Sequence, residues 1–249
     1  MVDITNISAP PIADIGTNQG WDLVQVGTSD LVIHSDTTDG STTFADAVGT
    51  HSPTVGAADV EHDIAQKKWG KTSILFDGDS GYITTTDDHA DWDFDSGTFT
   101  IDFWVRFATL PADTDIDIFM GQYVDGDNMW YVGLYNNGGT YILRRYVEEA
   151  TAVRIMSKTW TTPVVDTWYH IALIRGWGGD GDDWAFTVNG VQIGTTHDDS
   201  NDMPNFNAPL IIGHQTGEHY FDGWMDEIRV DKGTARWENN FIPPYGSYR

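Results

Sequence analysis

A chain whose apolar residues recur at every second position, in short runs closed by glycine, asparagine or aspartate, can bury them only by pairing strands. FTIDFWVRF (99–107), MWYVGLY (129–135), YILRRYV (141–147), WYHIALIR (168–175), WAFTVNGVQIGT (184–195), LIIG (210–213) and MDEIRV (225–230) follow that pattern, and LVIHS (31–35) is the first clear strand. Turn chemistry agrees: Asp125-Gly126, Asn189-Gly190 and Asn137-Gly138-Gly139 supply the positive-φ residues that tight hairpins need. No long segment sustains a 3.6-residue period. A helical turn near Ala65–Lys71 or Thr234–Asn239 is the most the pattern permits. Many short strands without helices predict an all-β sandwich or barrel.

The 249 residues suit one all-β domain. Residues 1–27, with Pro10-Pro11 and small polar residues, read as an extended N-terminal arm, and 28–249 as the domain; the FIPPYGSYR tail is expected to lie across its surface. With no cysteine, disulfides, thiol catalysis, zinc–thiolate and iron–sulfur sites are excluded, and a bacterial or viral protein folded in a reducing compartment is favoured. No apolar run approaches the roughly 18 residues of a membrane helix, and no basic, apolar leader marks a secretory signal. The net charge of −25 repels nucleic acid and anionic membranes. Most of the acids are aspartates, which suit turns and solvated loops such as DTDID (113–117), GGDGDDW (178–184) and HDDSND (197–202).

Alternation also assigns faces. In FTIDFWVRF, Phe99, Ile101, Phe103, Val105 and Phe107 share the core face, leaving Asp102, Trp104 and Arg106 on the other. Arg144 and Arg145 must point to opposite sides of one strand, which predicts one of them buried against carboxylates or an interface.

Four stretches in order resemble the laminin-G-like, concanavalin-A-like jelly-roll superfamily. They are KTSILFDGDSGYI (71–83), FTIDFWVRF, DTWYHIALIR with WAFTVNGVQIGT, and LIIGHQTGEHYFDGWMDEIRV (210–230). With LVIHSDTTDGSTTFADAVG, the likeness spans about residues 28–249 and implies a two-sheet antiparallel β-sandwich. It also implies one structural Ca²⁺, with Asp226 as the carboxylate ligand and Asp36 and Asp79 as the nearest partners; Ca²⁺ takes about 6–8 oxygens. No Asp cluster has EF-hand spacing, and the eight His form no HExxH pair. The closing KGTARWENNFIPP (232–244) resembles a C-terminal signature of such domains in phage and viral structural proteins. That resemblance implies a virion surface protein: a capsid decoration, head fibre or tail-associated module, joined to capsid or tail proteins through its arm and forming a homo-oligomer. The alternative is an extracellular or cell-surface lectin or adhesin.

The same fold hosts glycoside hydrolases, which need two carboxylates about 5–5.5 Å apart for the retaining reaction, typically from an E-x-D-x-x-E strand. The nearest string, Glu61-His62-Asp63-Ile64-Ala65-Gln66, ends in Gln, so no catalytic residue is expected and the chain reads as a non-enzyme. Sugars stack on aromatic faces beside polar groups. Trp130, Tyr131, Trp177 and Trp184 sit in or beside Asp- and Asn-rich loops and are the candidate ligand contacts for polysaccharide or host glycan. Trp177, flanked by Gly176, Gly178 and Gly179, is foremost.

Overall fold

The computed structural model describes residues 29–57, 59–85, 90–215 and 218–248, so the expected 1–27 arm lies outside the described residues. Sixteen strands occur among them: β1 (Leu31–Ile33), β2 (Thr54–Val55), β3 (Val60–Asp63), β4 (Ser73–Asp77), β5 (Ile83–Thr84), β6 (Phe99–Phe107), β7 (Ile116–Asp125), β8 (Asn128–Asn137), β9 (Thr140–Glu149), β10 (Ala152–Thr159), β11 (Trp168–Arg175), β12 (Asp183–Val188), β13 (Val191–Gln192), β14 (His197–Asp198), β15 (Ile211–Ile212) and β16 (Asp222–Lys232). One sheet has nine strands, ordered β13-β12-β11-β6-β16-β4-β3, with β1 on β16 and β14 on β12. The other has seven, ordered β10-β9-β8-β7-β15-β5-β2. All pairs are antiparallel, so the expected two-sheet sandwich is what the chain forms. Among the described residues, helix is confined to single 3-10 turns at Ala90–Trp92 and Trp177–Gly179; the segments 65–71 and 234–239 are bends and extended chain.

The alternation works as read. Phe99, Ile101, Phe103, Val105 and Phe107 enter the core between the sheets, where Phe119, Phe221 and Phe76 meet them or one another edge-on or tilted. Such ring pairs add about 0.5–1.5 kcal/mol beyond area burial. The opposite face of β6 is buried too, because Lys68 and Trp69 pack on Trp104 and the chain after β16 is laid over Asp102. Trp237 and Phe241 stack at 3.8 Å and cover β11 and β12, and Tyr248 reaches back to β6.

Two turns follow the sequence and two do not. Asn189 (φ 50°) and Gly190 (φ 76°) close β12 to β13, and Gly138 with Gly139 closes β8 to β9. Asp125-Gly126, however, needs no positive φ. Asp125 Oδ1 accepts the Asp127 N–H and the Asn128 side-chain N–H, which stabilises the turn from β7 to β8 in ordinary backbone. The β9–β10 turn puts Ala150 (φ 48°) and Thr151 (φ 75°) in left-handed backbone, with neither glycine nor asparagine to announce it. Each such residue costs about 1–2 kcal/mol, offset by the eight residue pairs that join β9 to β10.

DTDID is not a wholly solvated loop. Its last two residues begin β7, a central strand, and Asp117 is 7% exposed. Burial, then the nearby Asp115 and Asp222 charges, push its carboxyl well above the ordinary carboxylate range, and Oδ2 has no hydrogen-bond partner. A raised folded-state pKa opposes stability as pH rises from the unfolded value toward the folded one. Asp117→Asn should therefore gain about 1–2 kcal/mol at pH 7, the scale of a relieved unsatisfied polar group. The gain should vanish near pH 3, where folded and unfolded carboxyls are both protonated. Urea titrations at the two pH values measure it; an equal effect at both would contradict the assignment.

Candidate functional site

Register decides which side chains leave the sandwich on the seven-stranded sheet. Trp130, Val132 and Leu134 of β8, Leu143 and Val147 of β9 and Met156 of β10 belong to the core. Alternation then turns Met129, Tyr131, Gly133 and Tyr135, then Ile142, Arg144, Tyr146 and Glu148, then Val153, Ile155 and Ser157 to the outer face. Pairing aligns them into a row across the strands: Ile155 beside Tyr146, Tyr146 beside Tyr131, Tyr131 beside Gly121, and Gly121 beside Ile211.

On that face Tyr131 and Tyr146 stack with ring centroids 5.0 Å apart and planes 6° from parallel. The Arg144 guanidinium lies 3.8 Å over the Tyr135 ring, and its charge acts on the Tyr131 hydroxyl. The Tyr146 hydroxyl donates to Glu148 Oε2 at 2.5 Å. Burial, then the Glu148 carboxylate, hold the Tyr146 phenol above its ordinary pKa; burial raises that of Tyr131, partly opposed by Arg144. Both phenols are thus neutral donors at pH 7. Gln215 donates to the Gln122 and Trp130 carbonyls on either side of Gly121, while Tyr82, His214 and Tyr220 cluster ring to ring. A Cβ at Gly121 would lie 2.2 Å from the Trp130 carbonyl oxygen, which is why that position carries no side chain. Half-buried rings with an arginine and a carboxylate among them suit a ligand that offers both C–H faces and hydroxyls.

Of the four aromatics expected to contact ligand, Tyr131 alone is on this face. Trp130 and Trp184 face inward and are fully buried, and Trp177 is 6% exposed. Trp130 donates to Gln122 Oε1, and Trp184 donates to the Asp199 carbonyl beneath the Arg145 guanidinium. Trp177 follows left-handed Gly176 (φ 105°), turns onto the nine-stranded sheet, and is closed in by Phe241 and its neighbours. Glycines that were expected to display this ring instead let the chain fold it down. Arg145 and Arg144 do diverge: Arg145 pairs internally with Asp199 at 2.7 Å, and Arg144 joins the outer face. Tyr135, Arg144, Tyr146 and Glu148 were not singled out as ligand contacts, although the alternation within YILRRYVEE places three of them on Tyr131's side.

The three aspartates expected around Ca²⁺ are not a ligand set. Among the described residues no group of three or more His, Asp or Glu could hold a metal ion. Asp226 is buried on β16 beside a bulge at Glu227 (φ 54°), and its oxygens accept the N–H groups of Lys68, Trp69 and Glu227. Asp36 accepts the Lys71 N–H. Asp79 is exposed, in the turn that Asp77 caps. Amide hydrogens of Lys68 and Trp69 on one oxygen and of Glu227 on the other fill three of the four lone-pair positions of the Asp226 carboxylate. Asp226 thereby ties the 65–71 segment to the last long strand.

The stacked sheets and this aromatic face define a lectin-like β-sandwich. The profile described as the concanavalin A-like lectin/glucanases superfamily matches residues 77–236, well over half the chain, and the protein belongs to that superfamily. No curated protein matches the sequence. Among solved structures, the chain is similar to the binding domain of Paraclostridial Mosquitocidal Protein 1, with TM-score 0.60, 14% identity, and 83% of this chain aligned to 49% of that one. It is similar to domain 4 of AbnA, a GH43 extracellular arabinanase from Geobacillus stearothermophilus solved with arabinotriose, with TM-score 0.56, 17% identity, and 83% and 93% covered. It is also similar to the binding domain of Botulinum Neurotoxin DC in complex with SialylT, with TM-score 0.58, 11% identity, and 87% and 49% covered. The chain thus spans about half the length of the toxin binding domains it matches. At these identities the likeness is one of fold.

Proposed function

We propose that this protein is a non-enzymatic glycan-binding module whose site is the outer face of the seven-stranded sheet. The observation that carries the reading is the stacked Tyr131–Tyr146 pair flanked by Arg144 and Glu148. It is supported by two neighbours of the same fold that hold arabinotriose and SialylT. Binding, not hydrolysis, suits the face because Glu148 is the one carboxylate among the outward residues of β8, β9 and β10 named above, whereas the retaining reaction needs two about 5–5.5 Å apart.

Glycan-array and affinity-electrophoresis measurements test this. Wild-type protein should be retarded by at least one polysaccharide, and Tyr146→Ala should weaken the interaction at least tenfold, about 1.4 kcal/mol, with melting temperature nearly unchanged. Tyr131→Phe, which keeps the ring and loses the hydroxyl, should weaken it less. A Tyr146→Ala protein that binds as tightly as wild type would sink the assignment of this face.

The biological setting belongs to the same proposal. Residues 232–244 carry the resemblance to phage and viral structural domains, which favours display on a virion as an oligomer, with residues 1–27 joining capsid or tail proteins. Antibody labelling of purified particles locates the chain; its absence from particles would leave the extracellular adhesin.

A further inference from the structure

We infer that the face carrying Tyr131 and Tyr146 takes an acidic sugar, with the sugar's carboxylate seated on the Arg144 guanidinium. The inference rests on the glycan-binding reading of that face and adds the chemical class of its ligand. Arg106, Arg145, Arg154, Arg175, Arg229 and Arg236 each pair with a carboxylate at 2.5–3.3 Å. Among the described arginines Arg144 is the one without such a partner, in a chain where 38 acidic residues outnumber 13 basic ones. Its guanidinium rests 3.8 Å over the Tyr135 ring, a contact that neutralises none of the charge, and no acceptor meets its buried Nε.

Register places the groups around it. Strand pairing lays three rows side by side on the outer face, each two residues from the next, or about 6–7 Å. Tyr131, Tyr146 and Ile155 form the middle row. Arg144 stands in the row on one side, between Gly133 and the exposed Ser157; Glu148 stands in the row on the other. The cation and the acid therefore bracket the stacked tyrosines, and the carboxylate of Glu148 is held on the Tyr146 hydroxyl at 2.5 Å.

A sugar ring lying on the tyrosines turns one edge toward each charge. A carboxylate at the Arg144 edge accepts from a planar donor fork that matches its two oxygens, with the Ser157 hydroxyl beside it. Hydroxyls at the opposite edge donate to Glu148. The reversed pose sets acid against acid, so the same groups that select the ligand also orient it. The chain's net charge of −25 opposes a dense polyanion, but it is screened over about 8–10 Å at ordinary ionic strength. The fitting ligand is thus a single acid on an otherwise neutral glycan, either a sialate at a chain end or a uronate on a branch.

Isothermal titration calorimetry on the full chain tests this with matched probes: sialyllactose against lactose, and glucuronic-acid-substituted xylo-oligosaccharides against unsubstituted ones. In at least one pair the acidic member should bind about tenfold tighter or more, and the responding pair identifies the source of the acid. The preference should shrink at about 0.3 M NaCl. Arg144→Gln should bring the two members within about twofold of each other, with the melting temperature nearly unchanged because no carboxylate of the protein depends on that guanidinium. Ser157→Asp, which offers Arg144 an internal acid from an exposed position, should also abolish the preference while leaving neutral binding in place. Wild-type protein that binds both members of each pair equally, or the neutral ones more tightly, overturns the acid preference and leaves the glycan reading standing. A preference that survives both substitutions overturns the role of Arg144. Binding to none of the four probes overturns this inference, and an empty glycan array alongside it defeats the glycan reading as well.

Discussion

Replacing Asp102 with alanine is expected to remove about 3–5 kcal/mol of stability, the usual cost of breaking a buried charge pair by deleting one partner. Asp102 has no exposed surface and accepts four hydrogen bonds. Two come from Arg229, at 2.8 and 3.0 Å, one from His170 Nε2 at 3.0 Å, and one from the Tyr248 hydroxyl. Burial alone would raise its pKa; the Arg229 charge, then the His170 hydrogen bond, overcome that and hold it well below the carboxylate range. Without Asp102 the fully buried Arg229 keeps only Asp231, 3.6 Å away, and its uncompensated charge dominates the loss. His170 is neutral, its pKa lowered first by burial, with Nε2–H directed at Asp102 and Nδ1 unpartnered.

The sign of the pH dependence follows. His170's folded-state pKa is depressed, so its contribution is present above about pH 6.5 and is lost as pH falls toward the folded value. Asp102's is depressed as well, so its contribution is present above about pH 4 and lost further into acid. The His170 window is common to both proteins, so wild type should keep its advantage over Asp102→Ala through it and lose that advantage only below about pH 4, where Asp102 titrates in the unfolded chain. Urea unfolding followed by tryptophan fluorescence measures both effects. A loss below about 1 kcal/mol at pH 7, the size of an exposed pair, would show that the cluster is not the tie described.

A chain ended after Arg236 is expected to lose more than 5 kcal/mol and to unfold or become molten at room temperature. The removed residues cover the outer face of the nine-stranded sheet. Trp237 and Phe241 close over Trp177, Ile174 and Ala172, and Tyr248 packs on Val32. Each large buried side chain contributes about 1.5–3 kcal/mol. The deletion also strips the Tyr248 hydroxyl from Asp102 and its N–H from Glu227, at 2.6 Å. Ile242 and Tyr245 lie in the same segment but are 79% and 66% exposed, so Ile242→Ser and Tyr245→Ser should change stability by less than about 0.5 kcal/mol. Native near-ultraviolet dichroism in the truncated chain would contradict this account.

How much of the candidate face was legible depends on which interaction places each residue. Arg144 and Tyr131 could be assigned to faces because alternation with period two is local, and the opposed directions of Arg144 and Arg145 followed from it. Their neighbours could not. Tyr131 meets Tyr146 because β8 and β9 pair in one register, and Gln215 reaches the same face across 93 residues of chain from the Gln122 carbonyl. Nothing near Trp177 in sequence says that Phe241 will cover it.

The amino-acid order by itself determined that this chain is a stack of antiparallel strands, which residues of FTIDFWVRF enter the core, and where the Asn189-Gly190 and Gly138-Gly139 hairpins turn. Each of those rests on backbone geometry within a few residues. Only the tertiary structure decided that the second face of β6 is also buried, that Asp226 accepts amides from a distant loop, and that tyrosines of β8 and β9, not the tryptophans, form the open aromatic surface. Burial of a second face depends on what the chain lays over it, here Lys68 and Trp69 on Trp104 and the distant Tyr248 on Asp102.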